Sequence, residues 1–275
     1  MKISRRTGRW LAPLMLALLC LMALLLGTAP RAQTATRDAV RPTIVLVHGA
    51  FADSSSWNYV ARRLRGDGYP VVAVANPLRG VAADARYTAR IVDGIPGPVV
   101  LVGHSYGGSV ISAAAAGRAN VKALVFVSAF APDAGESAAI LSAKFPGSTL
   151  GEALAAPVAQ GDGSADLYIR PDRFWQQFAA DLQEGEAQLM AVGQRPITDA
   201  ALNERLPEGA SAWKTVPSYF VFGTGDKNIP PAALAWMAER ARSRRTVPIA
   251  WASHVPQLSH PGEVAELIET AAGAR

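Results

Sequence analysis

The stretch VLVGHSYGGSV, residues 100–110, sets an apolar run against a serine flanked by glycines. Val100, Leu101 and Val102 suit a buried strand. The small and apolar residues after Gly108 suit a helix. Between them Gly103-His104-Ser105-Tyr106-Gly107 fits the spacing G-x-S-x-G at a strand-to-helix junction. Such a turn is so tight that a side chain at 103 or 107 would collide with neighbouring backbone. Ser105 is then held in a strained conformation with its hydroxyl presented above the sheet. The helix beneath contributes unpaired N–H groups and the positive end of its dipole. An oxyanion forming on a group attacked by Ser105 would be stabilised there, which makes Ser105 a nucleophile rather than part of an ordinary glycine-rich turn.

Outward from that turn the pattern alternates. TIVLV (43–47), VVAVA (71–75), PVVLVG (98–103), VKALVFVSAF (121–130), SYFVFG (218–223) and TVPIAWA (246–252) read as strands. Helical spacing appears over Ser54–Arg65, Ala82–Asp93, the Ala-rich run after Ser105, Pro231–Arg242 and Pro261–Ala272. Continuous apolar strands alternating with helices predict a parallel sheet covered on both faces. Pro248, which cannot donate to a ladder, places the last strand at an edge.

Half of the 275 residues are hydrophobic and 18% are charged, which suits a sizeable buried core. The net charge of +5 is local. Residues 1–35 carry Lys2, Arg5, Arg6, Arg9 and Arg31 and no acid; the other 22 basic residues balance 22 acidic ones. No basic nucleic-acid surface is implied. The same N-terminus has a basic head, an apolar run from Trp10 to Leu26 and small residues after it, the order of an export signal. Cleavage is expected between Ala29 and Ala35, leaving no stable membrane association and a periplasmic or secreted protein; an uncleaved anchor is the alternative. SRRTGRWL also resembles a twin-arginine signal, although Gly8 replaces the usual large apolar residue. Cys20, the one cysteine, lies inside the apolar run, so the mature chain is expected to have no disulfide. The four histidines lack metal-ligand spacing, and GTGDKN comes too late for a dinucleotide site.

VLVHGAF (45–51), VLVGHSYGG (100–108), FGTGDKNIP (222–230) and ASHVPQLSHP (252–261) together resemble the α/β-hydrolase family over about residues 41 to 272. The resemblance is strongest to its small serine esterases, including the plant methylesterase and hydroxynitrile-lyase branch. It implies an α/β-hydrolase fold: a mostly parallel six-stranded sheet with helices on both faces and an inserted cap. The expected layout is a signal peptide over 1–35 and a hydrolase domain over 36–275, with the cap at 131–213.

A serine hydroxyl needs a base to take its proton, and the base needs an acid to orient it. The family order of serine, acid and histidine points to Asp226 as acid, with Asp133 as runner-up. His254, directly after the last strand, is the expected base; His260, before Pro261, is expected to cap the final helix or lie at the surface. The resemblance also implies backbone oxyanion donors: Tyr106 N–H, with Ala50 N–H as first choice and Phe51 N–H as second. Phe174, Trp175 and Phe178 share a helix face in RFWQQFAADL; Trp175 and Phe178 are candidate substrate contacts, with packing of the cap as the alternative. The implied activity is hydrolysis of small to medium carboxylic esters through an acyl-enzyme, without metal or cofactor. A lyase, perhydrolase or amidase on the same scaffold, or a small-molecule binding protein with a hydrolase pocket, are the rival readings.

Overall fold

The computed structural model describes residues 41–273. The export segment expected over residues 1–35, with Cys20, lies outside them. The strands are β1 (Thr43–Val47), β2 (Val71–Val74), β3 (Val99–His104), β4 (Val121–Val127), β5 (Val158–Ala159), β6 (Ala165–Leu167), β7 (Ile197–Thr198), β8 (Ser218–Gly223) and β9 (Arg245–Ile249). A 3₁₀ turn over Ser54–Trp57 leads into α1 (Asn58–Gly66); α2 (Val81–Asp93) and α3 (Gly107–Ala114) follow. Then come α4 (Ala138–Ala143), α5 (Leu150–Ala153), α6 (Pro171–Phe178), α7 (Glu184–Gly193) and α8 (Asp199–Asn203). The last helices are α9 (Pro231–Arg240), α10 (Pro256–Ser259) and α11 (Pro261–Gly273).

Six strands form one parallel sheet in the order β2-β1-β3-β4-β8-β9. β9 stands at the edge, and Pro248 pairs there with Phe222. The apolar strands face two ways. Val45, Leu101, Leu124 and Phe220 pack with α2, α3 and α9. Ile44, Val100, Val125 and Val221 pack with α1 and α11. Because both faces are covered, the inner strands β1, β3, β4 and β8 are apolar along nearly their whole length. Each fully buried Val, Leu or Ile contributes about 1.5–3 kcal/mol.

The chain leaves β1 for β2 on one side and returns to β3 on the other. At such a reversal the connections diverge and leave a crevice at the carboxyl ends of the strands. The turns after β1 and β3, carrying His48–Phe51 and Ser105, meet there. Three strands end earlier than their apolar runs. β2 stops at Val74, β4 at Val127 before Ser128 with φ +41°, and β9 at Ile249 before Trp251 with φ +64°. In the last two cases a left-handed residue turns the chain off the ladder.

Residues 131–213 leave the main sheet. They form α4 to α8 and a small antiparallel sheet, β5-β6-β7. Strands of two or three residues are too short for periodicity to reveal. No described helix is long and apolar enough to cross a membrane.

Candidate active site

The turn between β3 and α3 is as tight as its spacing requires. A Cβ on Gly103 would stand 2.6 Å from the Gly107 carbonyl oxygen, and one on Gly107 would stand 2.5 Å from that of Val47. Ser105 takes φ +53°, a left-handed conformation costly for a residue with a side chain. Its N–H bonds to Val127 O at 3.2 Å, and its carbonyl accepts from Gly108 N–H and Phe130 N–H at 3.0 and 3.1 Å. The strained residue is therefore held on three sides, while its hydroxyl forms no hydrogen bond among the described residues.

His254 Nδ1–H donates to Asp226 Oδ2 at 2.7 Å, and both side chains are buried. That bond leaves Nε2 as the ring's free lone pair. The other oxygen of Asp226 accepts from the N–H groups of Asn228 and Ile229 at 2.8 and 3.0 Å. The carboxylate is thus satisfied without a cation. Asp133 lies elsewhere: it binds Lys214 at 2.6 Å and Ser211 at 3.0 Å. Burial acts to raise its pKa, and the Lys214 hydrogen bond brings it below the usual carboxylate range. His260 is half-buried, 2.9 Å from Ser259 Oγ and 3.8 Å from Asp181, and its carbonyl accepts from Val264 N–H in the first turn of α11.

The other two histidines are neutral braces. His48 Nδ1–H donates to Gly49 O at 2.9 Å and its Nε2 accepts from Asn76 N–H at 3.0 Å, which tie the turn after β1 to the end of β2. Burial lowers its pKa to about 4. His104 Nε2–H donates to the His254 carbonyl at 2.9 Å, and burial holds its pKa well below the ordinary histidine value.

Of the backbone donors, Ala50 N–H and Tyr106 N–H meet no acceptor among the described residues, and both residues face the Ser105 hydroxyl's cavity. Phe51 does not fit the donor role given to it. Its N–H is taken by Arg195 O at 2.9 Å, a contact 144 residues away in the chain that no local pattern announces. Phe51 instead takes φ +60° and packs its ring edge-on to Phe178.

Ala50, Ser105, Tyr106 and His254 open on a cavity of about 400 Å³. Its opposite wall comes from the 131–213 stretch: Ala138, Ala139, Ala143, Phe145, Leu150 and Leu154. Among the described residues no Asp, Glu, Lys or Arg lines it. Trp175 and Phe178 are corrected here, because neither reaches the cavity. Trp175 Nε1–H donates to Leu182 O at 3.0 Å, and Phe178 is fully buried with its ring 5.1 Å from the His254 ring. The helix face they share is therefore a packing face, and α4, whose alanines gave no functional signal, forms the wall. A second cavity, of about 420 Å³, lies between α1 and α7 and shares only Phe51 with the first. Among the described residues no group of three His, Cys, Asp or Glu side chains is arranged to hold a metal ion.

Known proteins resemble this chain along most of its length. Methylesterase 1 of Arabidopsis thaliana is 24% identical over 245 residues, covering 81% of this chain and 92% of that protein. The alpha-hydroxynitrile lyase of the same plant is 26% identical over 239 residues, covering 79% and 92%. The crystal structure of polyneuridine aldehyde esterase superposes with a TM-score of 0.71 at 21% identity, over 84% of this chain and 98% of that one. A model of the alpha/beta hydrolase family matches residues 44–267, and the chain belongs to that family.

Proposed function

We propose that this chain is an exported serine hydrolase that cleaves uncharged carboxylic esters with small to medium acyl groups. One observation carries the reading: Ser105 on its strained turn and His254, held from behind by the buried Asp226, open on the same apolar cavity. The kinship to a methylesterase agrees with it.

In the proposed reaction Ser105 Oγ attacks the ester carbonyl as His254 Nε2 takes its proton. Asp226 holds the Nδ1–H, so the imidazolium that forms is oriented and stabilised. The oxyanion of the tetrahedral intermediate accepts from the N–H groups of Ala50 and Tyr106. Collapse expels the alcohol, which receives the proton from His254. Water then attacks the acyl-serine, with His254 taking and returning a proton, and the acid leaves.

The lining of the cavity supports this substrate class. A charged group on the substrate would be buried without a partner, which disfavours it by several kcal/mol. The 131–213 stretch acts as a cap that excludes water and strengthens the oxyanion hydrogen bonds. Each buried CH₂ contributes ~0.8 kcal/mol until the cavity is full, so hydrolysis should favour acyl chains up to about eight carbons. Residues 1–35 act as the export signal. The kinship to a hydroxynitrile lyase favours a second reading, in which the same base deprotonates a cyanohydrin hydroxyl and no acyl-enzyme forms.

A fluorophosphonate probe and a panel of p-nitrophenyl esters test the proposal. Stoichiometric labelling that is lost in Ser105→Ala, with hydrolysis of neutral short esters, is expected. Cyanide release from cyanohydrins without ester turnover would favour the lyase. N-terminal sequencing of protein recovered outside the cytoplasm should start between residues 30 and 36.

A further inference from the structure

The proposed reaction uses the backbone of Tyr106 and leaves its side chain without a task. That phenol is fully buried, and its Oη–H donates to Asp84 Oδ2 at 2.9 Å. Asp84, in the first turn of α2, is also fully buried, and its other oxygen accepts from Arg79 N–H at 3.3 Å. Among the described residues no cation pairs with it: the Arg79 guanidinium turns away to Asp166 at 2.5 Å and to the carbonyls of Pro77 and Pro196. A buried carboxylate held by two neutral donors is a costly way to join two helices, and an apolar pair would join them as well.

The cost has a counterpart one residue back. Ser105 at φ +53° and Tyr106 at φ −53° form a turn of alternating hand, in which the Ser105 N–H is taken by Val127 O and the Tyr106 N–H is left without an acceptor among the described residues. Strain of that kind persists only where the surroundings over-determine it. The Ser105 backbone is held by Val127, Gly108 and Phe130, whereas the Tyr106 N–H has no acceptor of its own. The bond from Oη to Asp84 is the polar tether that reaches Tyr106 from outside its own turn.

We infer that Asp84 is a positioning residue: through Tyr106 Oη it anchors the turn to α2 and aims the Tyr106 N–H at the oxyanion. The inference rests on the serine-hydrolase reading. Burial raises the Asp84 pKa above the ordinary carboxylate range, so a neutral isostere suits the site. In Asp84→Asn the amide oxygen can still accept from Arg79 N–H while the amide N–H donates to Tyr106 Oη.

The test compares Tyr106→Phe, Asp84→Asn, Asp84→Leu and the double variant Asp84→Leu/Tyr106→Phe in the full chain. Active sites are titrated with the fluorophosphonate, then kcat and KM are measured with p-nitrophenyl butyrate. Losing one oxyanion donor outright costs about a hundredfold or more, so misaiming one should lower kcat about ten- to a hundredfold in Tyr106→Phe and Asp84→Leu. KM should stay within about twofold, and Asp84→Asn should retain kcat to within about threefold. The double variant removes the phenol hydroxyl and the carboxylate together and leaves only the N–H of the exposed Arg79 without its acceptor, so it should fold, and it should be no slower than the worse single variant because both cut one tether. A double variant with the parent kcat per titrated site would overturn the inference, as would Asp84→Asn falling as far as Asp84→Leu. If the parent chain is not labelled at all, the serine reading itself fails and this inference with it.

Discussion

The cavity has two walls of different construction. On the sheet side, Ser105, Asp226 and His254 stand at the carboxyl ends of β3, β8 and β9, whose parallel registers hold them in place. Close backbone contacts leave no freedom there: a Cβ on Gly49 would stand 2.6 Å from the Ser105 Cβ. On the other side, α4 is six residues long, α5 four, and the β5-β6 turn runs through Gly161 and Gly163 at positive φ. Its cavity-facing residues are alanines together with Phe145, Leu150 and Leu154, apolar side chains with few geometric obligations. In the proposed function chemistry belongs to the rigid wall and selectivity to the exchangeable one.

The largest effect should fall on the rigid wall. Ser105→Ala should lower kcat/KM about 10³- to 10⁶-fold and abolish labelling, with an unchanged thermal midpoint. Undiminished hydrolysis by that variant removes the serine mechanism. His254→Ala should lose about 10³-fold or more, whereas His260→Ala, whose ring pairs with Ser259 and Asp181, should lose less than about tenfold. If His260→Ala is the inactive variant, the base has been misassigned.

Stability should divide along the same line. A Cβ on Gly223 would overlap the carbonyl oxygens of Ala252 and Ser253, where the Asp226 and His254 segments cross. Gly223→Ala should cost about 3 kcal/mol or more in urea unfolding. Gly185, in α7 with nothing near its missing Cβ, should instead gain ~0.5–1 kcal/mol as Ala. Equal effects at the two positions would erase the contrast.

The His48 brace makes the rigid wall sensitive to acid. Its folded pKa of about 4 lies below the 6.5 of a free histidine, chiefly through burial. Its unfolded form therefore binds the proton more readily. This contribution is fully present above pH 6.5 and is lost as pH falls toward 4, up to about 3 kcal/mol. His104 acts in the same direction. Urea unfolding at pH 7 and pH 4.5 should show the loss, and His48→Gln should flatten it; an unchanged slope in that variant contradicts the assignment.

The smallest effect belongs to the exchangeable wall. Ala143→Phe fills part of the cavity and should lower kcat/KM for octanoyl esters about tenfold, while acetyl esters change less than about threefold. Trp175→Ala should leave the chain-length preference as it was, because Trp175 lies outside the cavity. A shifted preference in Trp175→Ala would restore it as a substrate contact.

Much of the rigid wall was legible in the sequence because its signals are local. G-x-S-x-G within five residues demands a tight turn, and the structure has one, with a left-handed Ser105. Pro248 marked an edge strand from its missing N–H alone. The exchangeable wall gave little away. RFWQQFAADL has the periodicity of an apolar helix face, yet periodicity does not say which apolar partner that face meets; it meets His254 and the core, and the cavity is left to the alanines of α4.

By itself the sequence determined the alternation of buried strands and helices, the parallel sheet and the serine turn, since each follows from residue types within a few positions of one another. Only the tertiary structure decided between candidates of the same chemistry. Asp226 rather than Asp133 meets His254, because the ends of β8 and β9 are brought side by side while Asp133 is drawn to Lys214. Ala50 rather than Phe51 keeps an unpaired N–H, because Arg195 arrives from the far side of the chain. Asp84 reaches Tyr106 across 22 residues because α2 packs beside α3. Each of these outcomes depends on which backbone groups are already occupied, and that is set by contacts distant in sequence, where no local pattern carries the information.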